Sequence, residues 1–224
     1  DGVLPFSPEL EAGLRRKVLA AGPEEEREWA AAVDDHAGLF ARWSEVFPFD
    51  EFSKCFAKAL ATSAKRTSPG LGGWRLEHLR SLSRLRVCGP LLTRVFHQLA
   101  CGQAPAFLYD LLGVAKLTPL QKKGCAPDDP RPVGCTDPFW RVVFRSALLS
   151  EASSLRDVLV PAGQFAVGVP SGAEIFAHSV QDWADNHPEM VFISGDVRNA
   201  FNSFFRSVAL RETARIAPRL ALVF

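Results

Sequence analysis

Apolar residues recur at helical spacing over most of the chain. Large side chains from Trp29 to Phe47 follow one another at steps of four and three residues, which predicts one face of a helix beginning near Glu24. A further helix is predicted from about residue 50 to 65, with Phe52, Phe56, Ala59 and Leu60 on one side. The same pattern predicts helices at about 7–21, 74–87, 90–100, 138–159, 171–186 and 202–216.

The predicted 171–186 helix carries a start signal and an apolar face. Ser171 and Glu174 have the spacing of a capping box. Ile175, Phe176, Ser179, Val180 and Trp183 fall on one side of the helix.

Two stretches predict β-structure instead. Residues 112–120 are strand-like, residues 122–130 have the Gly, Pro and Asp content of a turn, and residues 131–135 return as a short strand. Together they predict a β-hairpin near 112–135. The apolar run that begins at Val191 ends at Asp196, just before the last predicted helix. An acid at a strand end suits a metal site over a cleft, but it is also ordinary turn chemistry, and the local pattern leaves both open.

These elements predict an α+β, helix-rich protein with three regions. Residues 1–50 form a helical lead-in, 51–190 combine helices with the hairpin, and 191–224 hold a strand and the following helix. Both ends look cut, so the chain is expected to be a fragment of a longer protein. No apolar run approaches the roughly 20 residues that span a bilayer, and we therefore expect no membrane partner.

Charge is distributed unevenly along the chain. Residues 1–53 carry 5 Lys/Arg and 12 Asp/Glu, residues 54–145 carry 15 and 5, and residues 146–224 carry 6 and 8. The regional charges of −7, +10 and −2 are hidden in a net charge of +1. A basic middle block suits a polyanionic partner, although a solvated basic face explains it equally well.

The cysteines argue against a disulfide framework or a zinc site. There are five, an odd number, and none lies in a C-x-x-C pair. Reduced thiols fit an intracellular protein, nuclear or cytoplasmic.

Four short motifs follow one another along the chain. They are Ser68-Pro69-Gly70 with Gly72-Gly73-Trp74; Pro119-Leu120-Gln121-Lys122 followed by Arg131-Pro132-Val133; Gln164 with Gly168 and Gly172; and Asp196-Val197-Arg198-Asn199-Ala200-Phe201. Each is weak alone, but their order is specific. Over about residues 65–215 this order resembles the reverse transcriptase domain of non-LTR retrotransposons and group II intron proteins. The resemblance implies right-hand polymerase fingers with an incomplete palm sheet, acting on an RNA template, a DNA primer and dNTPs.

The resemblance also implies roles around the fourth motif. Asp196 corresponds to the first catalytic carboxylate, which helps to hold two Mg²⁺ ions, with the backbone carbonyl of Val197 as a further ligand. The amides of Asn199 and Ala200 would lie near the triphosphate. Phe201 corresponds to the aromatic residue that packs against the sugar and excludes a 2′-hydroxyl, with ordinary core packing as the alternative.

The second and third motifs are expected to bind nucleotide and template. Arg131 corresponds to the fingers arginine that grips the triphosphate, and either Lys122 or Lys123 corresponds to the neighbouring lysine. Arg141 and Arg145 are expected to face the template backbone or simply solvent. Gln164 is expected near the template or the nucleotide.

The sequence departs from the family in three places. Leu71 precedes Gly72 where the family often has an aspartate, and Ser194-Gly195 is unusually polar for the strand before the acid. No Asp-Asp turn follows Asp196, and the last acidic residue is Glu212. We therefore expect that the chain as given does not polymerise DNA. The alternatives are a non-catalytic nucleic-acid-binding module and a decayed retroelement remnant; nothing indicates a protein partner.

Overall fold

The computed structural model describes residues 7–17, 22–64, 66–121, 130–191, 193, 195 and 204–223. Within these ranges the chain is α+β and helix-rich, with one two-stranded antiparallel sheet. The helices are α1 Pro8–Lys17, α2 Pro23–Asp35, α3 Ala37–Ala41, α4 Trp43–Val46, α5 Phe49–Thr62, α6 Leu76–Ser83, α7 Cys88–Ala100, α8 Ala106–Gly113, α9 Pro138–Ser150, α10 Ala152–Leu159, α11 Gly172–Asn186, α12 Arg206–Ile216 and α13 Pro218–Ala221. The strands are β1 Lys116–Leu120 and β2 Arg131–Cys135. None of the described helices combines the length and apolarity needed to cross a membrane.

Packing of α5 against α9 forms the centre of the core. The four α5 side chains predicted to share one side of the helix, Phe52, Phe56, Ala59 and Leu60, are all buried. Val142, Val143 and Ala147 of α9 are buried in the same cluster. Helix α7 packs on both helices and adds Phe96 and Leu99. The helical spacing read from the sequence is therefore confirmed for α5.

A buried histidine connects α7 to the start of α5. His97 Nε2 donates a hydrogen bond to the backbone oxygen of Phe47 over 2.8 Å. Its ring is surrounded by aromatic rings whose centroids lie 5.2 to 6.5 Å away, those of Trp43, Phe47, Phe49 and Phe52. The imidazole thus satisfies a carbonyl group at the turn before α5 and fills space among these rings.

The predicted helix from Glu24 to Phe47 is broken into α2, α3 and α4, with the breaks at His36 and Arg42. Because of the breaks, side chains of this stretch pack in two separate hydrophobic clusters. Ala32 packs with Leu210 of α12, whereas Phe47 enters the central core. A straight helix would direct both residues to the same side, so the prediction of one continuous element is wrong.

Ion pairs join the acidic lead-in to α12. Arg206 Nε lies 3.0 Å from Glu25 Oε1, and Ser207 Oγ donates to Glu28 Oε2 over 3.3 Å. The predicted N-terminal region therefore packs directly on the C-terminal one, through contacts between residues about 180 positions apart in the sequence.

The predicted 138–159 helix is also divided, into α9 and α10, at Glu151. This glutamate is buried, and its Oε1 accepts a hydrogen bond of 2.9 Å from the amide of Arg219. The Arg219 side chain donates to the backbone oxygen of Val46 over 2.9 Å and pairs with Glu51 Oε2 over 2.8 Å. The break is thus fixed by a residue 68 positions away.

The hairpin is confirmed, with shorter strands than predicted. Lys116 pairs with Cys135 and Leu120 pairs with Arg131. Helix α8 occupies the beginning of the stretch predicted as strand. The predicted 74–87 helix is shortened to α6, and the last predicted helix begins at Arg206 rather than near residue 202.

Helix α11 has bounds close to those predicted, but it lacks the predicted capping box. Ser171 has left-handed backbone, with φ of 53°, and its side chain makes no capping hydrogen bond. An N-cap serine normally has extended backbone, which aims its hydroxyl at the first turn. Ile175, Phe176 and Trp183, on the apolar side of the helix, are 42%, 50% and 38% exposed.

The His97 contacts predict a large effect of a single substitution. We expect His97→Ala to lower the free energy of unfolding by about 2–4 kcal/mol, because it opens a cavity and leaves the Phe47 carbonyl unpaired. Gln98→Ala is the matched control: the side chain is exposed on the same helix, and a change within about 0.5 kcal/mol is expected. Urea denaturation measures both, and equal effects would contradict this role of His97.

Candidate nucleic-acid interface

The first motif packs directly on the helix that follows the second motif. A Cβ atom added at Gly70, in the α5–α6 loop, would lie 2.6 Å from Asp137 Cα and 2.7 Å from Asp137 Oδ2. Asp137 caps α9, and its Oδ1 accepts a hydrogen bond of 3.0 Å from the amide of Phe139. The Trp74 ring meets the Phe139 ring edge to face at 5.4 Å. Only glycine permits this approach between loop and helix.

Two arginines of α9 hold the α5–α6 loop and the last residue of α5 before it. Arg141 Nη2 donates to the backbone oxygen of Ser68 over 2.5 Å, and Arg145 Nη2 donates to Thr62 Oγ1 over 3.1 Å. Both side chains are half-buried. The sequence predicted contact with the template backbone or with solvent; the structure adds a contact within the chain, and template binding stays a prediction. The Nε atoms of both arginines lack a hydrogen-bond partner among the described residues.

The loop is also tied to α6. Glu77 Oε1 accepts a hydrogen bond of 2.7 Å from the amide of Arg66, and this bond lowers the pKa of the Glu77 carboxyl from its usual value. Arg80 donates to the backbone oxygens of Leu60 and Ser63. The side chains of Arg66 and Arg75 remain exposed. The loop therefore presents two exposed guanidinium groups, and contacts with α6 and α9 hold its backbone.

The hairpin ends at Cys135, two residues before Asp137, which caps α9 and contacts Gly70. Arg131 is exposed and lies opposite Leu120, at the end of β2 that is farther from Asp137. At about 3.3 Å per residue, it is roughly 13 Å from Cys135 along the strand. Lys116 is exposed at the other end of the hairpin. Lys122 and Lys123 lie outside the described residues.

The third motif forms a close turn before α11. A Cβ atom at Gly172 would lie 1.8 Å from the backbone oxygen of Phe165, so this glycine is required by close backbone approach. Gly168 has positive φ and lies against the backbone oxygen of Ala152 at the start of α10. Gln164 is exposed, and its Oε1 accepts a hydrogen bond of 2.8 Å from the amide of Ala166. Its amide nitrogen is available for a partner.

The residues of the fourth motif that were predicted to act in catalysis lie outside the described residues. They are Asp196, Val197, Asn199, Ala200 and Phe201. A carboxylate and a backbone carbonyl are oxygen ligands of the kind Mg²⁺ prefers, so the residue types fit a magnesium site. Among the residues that the structure does describe, no cluster of three or more His, Cys, Asp or Glu is placed to hold a metal ion.

Two residues of the interface were not predicted from the sequence. Asp137 caps α9 and receives Gly70, although an aspartate directly before a proline is a recognisable helix start. Glu77 holds the amide of Arg66, a contact over 11 residues that no local pattern indicates.

The approach of Gly70 to Asp137 predicts a position-specific defect. We expect Gly70→Ala to lower the free energy of unfolding by about 1–3 kcal/mol, because the new methyl group meets backbone atoms that cannot move independently. Gly72→Ala is the control. Its Cβ would be 3.5 Å from the Trp74 ring and 3.6 Å from Asp137 Oδ2, so a change below about 0.5 kcal/mol is expected. Thermal unfolding compares the two variants, and similar losses in both would contradict the packing described.

Comparison with known proteins does not assign the chain to a family. No family model, no curated protein and no solved structure matches it. The likeness to reverse transcriptases therefore depends on the four motifs themselves.

Proposed function

We propose that the chain is the fingers and early palm part of an RNA-directed DNA polymerase of the non-LTR retrotransposon or group II intron type. The observation that carries the proposal is the order of the four motifs, with suitable gaps between them. The contact of Gly70 with Asp137 supports it, because residues of the first motif and the segment after the second motif would act on one nucleic acid.

The proposed reaction joins a dNTP to a primer 3′-oxygen and releases pyrophosphate. Arg131, with Lys122 or Lys123, grips the triphosphate, since a guanidinium meets phosphate oxygens in pairs and stays charged. Asp196 and the carbonyl of Val197 would hold Mg²⁺, which supplies stabilisation of the charge that develops during phosphoryl transfer. Phe201 lies against the sugar, and the amides of Asn199 and Ala200 face the triphosphate.

The template is bound by the basic surface of the fingers. Arg66 and Arg75 are exposed on the α5–α6 loop and contact phosphates of the RNA. Arg141 and Arg145 hold the α5–α6 loop and the end of α5 from α9, and their unpaired Nε atoms are buried. Contact with the template would therefore come from the solvent-accessible part of these half-buried side chains. Gln164 contributes a side-chain amide beside the template or the nucleotide.

A second candidate function is nucleic-acid binding without catalysis. It is favoured by the charge of +10 over residues 54–145. Both functions require binding of a polyanion, and only nucleotide incorporation distinguishes them.

Binding to single-stranded RNA should depend steeply on salt. Each phosphate neutralised contributes about 0.7 to the slope of log K against log salt for a single strand, so replacing Arg66, Arg75 and Arg131 by glutamine should reduce the slope by about 2. Filter binding at several salt concentrations measures this. Arg156→Gln, an exposed arginine on α10 outside the basic block, should leave the slope unchanged. A flat response in the unmodified chain would exclude the basic block as a polyanion site.

Catalysis is tested in the chain extended by whatever coding sequence follows Phe224. There we expect Asp196→Asn to reduce dNTP incorporation on a primed RNA template by about a hundredfold or more, with RNA binding retained. Asp157→Asn, an exposed acid on α10, serves as the control and should incorporate normally. Phe201→Ala should admit ribonucleotides. Normal incorporation by the extended chain with Asp196→Asn would show that Asp196 does not hold the metal. Absence of incorporation by the extended chain without substitutions would favour the binding function.

A further inference from the structure

Helix α7 carries a second apolar face that the core does not use. Val87, Leu91 and Val95 follow one another at four-residue steps from the N-cap of the helix and are 69%, 57% and 46% exposed. Leu85, in the turn before α7, is 52% exposed. The opposite face of the helix is buried against α5, α6 and α9. A helix that is apolar on both faces is normally buried on both.

Positive charge borders this apolar face. The sequence contains no Asp or Glu between Glu77 and Asp110, and Arg84, Arg86 and Arg94 in this interval are all exposed. None of the three forms an ion pair with a carboxylate of the described residues. We call the four apolar side chains and these three arginines the α7 outer surface.

We propose that the α7 outer surface binds an amphipathic helix of a partner protein, one with an apolar stripe flanked by carboxylates. The stripe from Val87 to Val95 covers nine residues, whose eight helical steps span roughly 12 Å, which matches two turns of a docked helix. The guanidinium groups at its border suit carboxylates, which they bind in pairs of hydrogen bonds. This inference is independent of the polymerase proposal.

The composition of the surface favours this occupant over three others. A symmetric contact with a second copy would place the arginines of one protomer near those of its partner, which is unfavourable. Nucleic-acid bases stack on aromatic rings, and the apolar positions here are aliphatic. Helices that lie in the membrane interface commonly carry aromatic anchors, and none is present in the stripe.

Fluorescence anisotropy with a synthetic peptide tests the proposal. The probe is a labelled helix of roughly 18 residues, with leucine at positions i, i+3, i+4 and i+7 and glutamate on the other faces. Because the surface is small, we expect a Kd on the order of 10 μM. Leu91→Ser with Val95→Ser should weaken binding at least about tenfold. A peptide of the same composition in scrambled order should not bind.

Matched controls make the test specific. Val158 and Val208 are exposed to similar extents, 44% and 52%, on α10 and α12, so Val158→Ser and Val208→Ser should leave the Kd unchanged. Arg84→Glu with Arg94→Glu should weaken binding of the glutamate peptide and strengthen binding of a peptide with lysine in place of glutamate. Arg156→Glu should change neither affinity. Lack of peptide binding, equal binding of the scrambled peptide, or equal losses in the valine controls would overturn the proposal.

Three further measurements on the Leu91→Ser, Val95→Ser variant exclude the other occupants. Light scattering should show the same mass as for the unmodified chain, and loss of a dimer would assign the surface to a second copy instead. Binding to phosphatidylserine vesicles and to single-stranded RNA should be unchanged. A loss of either in this variant would overturn the proposal in favour of a lipid or a nucleic acid.

Discussion

Packing of α5 on α9 is the interaction on which the rest of the structure depends. Phe52 and Phe56 bury their rings in the same cluster as Val142 and Val143, and α7 completes that cluster. Side chains of this size account for several kcal/mol each when removed from a core. The same α9 carries Arg141 and Arg145 beside its buried residues, so the core fixes the height and rotation of the two groups that hold the α5–α6 loop. Stability and the shape of the candidate interface are therefore coupled through one helix.

Elements that a local sequence pattern specifies were the ones predictable from sequence. The inner face of α5 repeats at helical spacing, and the hairpin is bounded by turn residues, so both patterns indicated the observed structure. The breaks at His36 and Glu151 were not predictable, because each is set by a distant partner. Leu210 packs with Ala32, and the amide of Arg219 binds Glu151. Periodicity reports only which side chains share a face and cannot show that a helix must stop to meet such a partner.

In the candidate site too, residues placed by local sequence pattern were predictable and residues placed by distant contacts were not. Exposed Arg131 could be placed on the hairpin because strand alternation and turn composition determine where it lies. The contact of Arg141 with Ser68 could not be predicted, because the two residues are 73 positions apart in the sequence. Gly70 appeared in the sequence as part of a motif, but the reason for glycine is the backbone at Asp137. The motif thus contains a residue that a tertiary contact requires, but it does not identify Asp137 as the residue that is contacted.

The distribution of charge explains how a nearly neutral chain can offer a polyanion site. Part of the acidic lead-in pairs with the C-terminal region, where α2 places Glu25 against Arg206 of α12. Its negative charge is therefore partly compensated at the other end of the chain. The exposed arginines of the α5–α6 loop and α7 keep an uncompensated field, because their own segments contain few acids. At physiological salt the Debye length is about 8 Å, so it is this local excess, and not the net charge of +1, that a phosphate or carboxylate would meet.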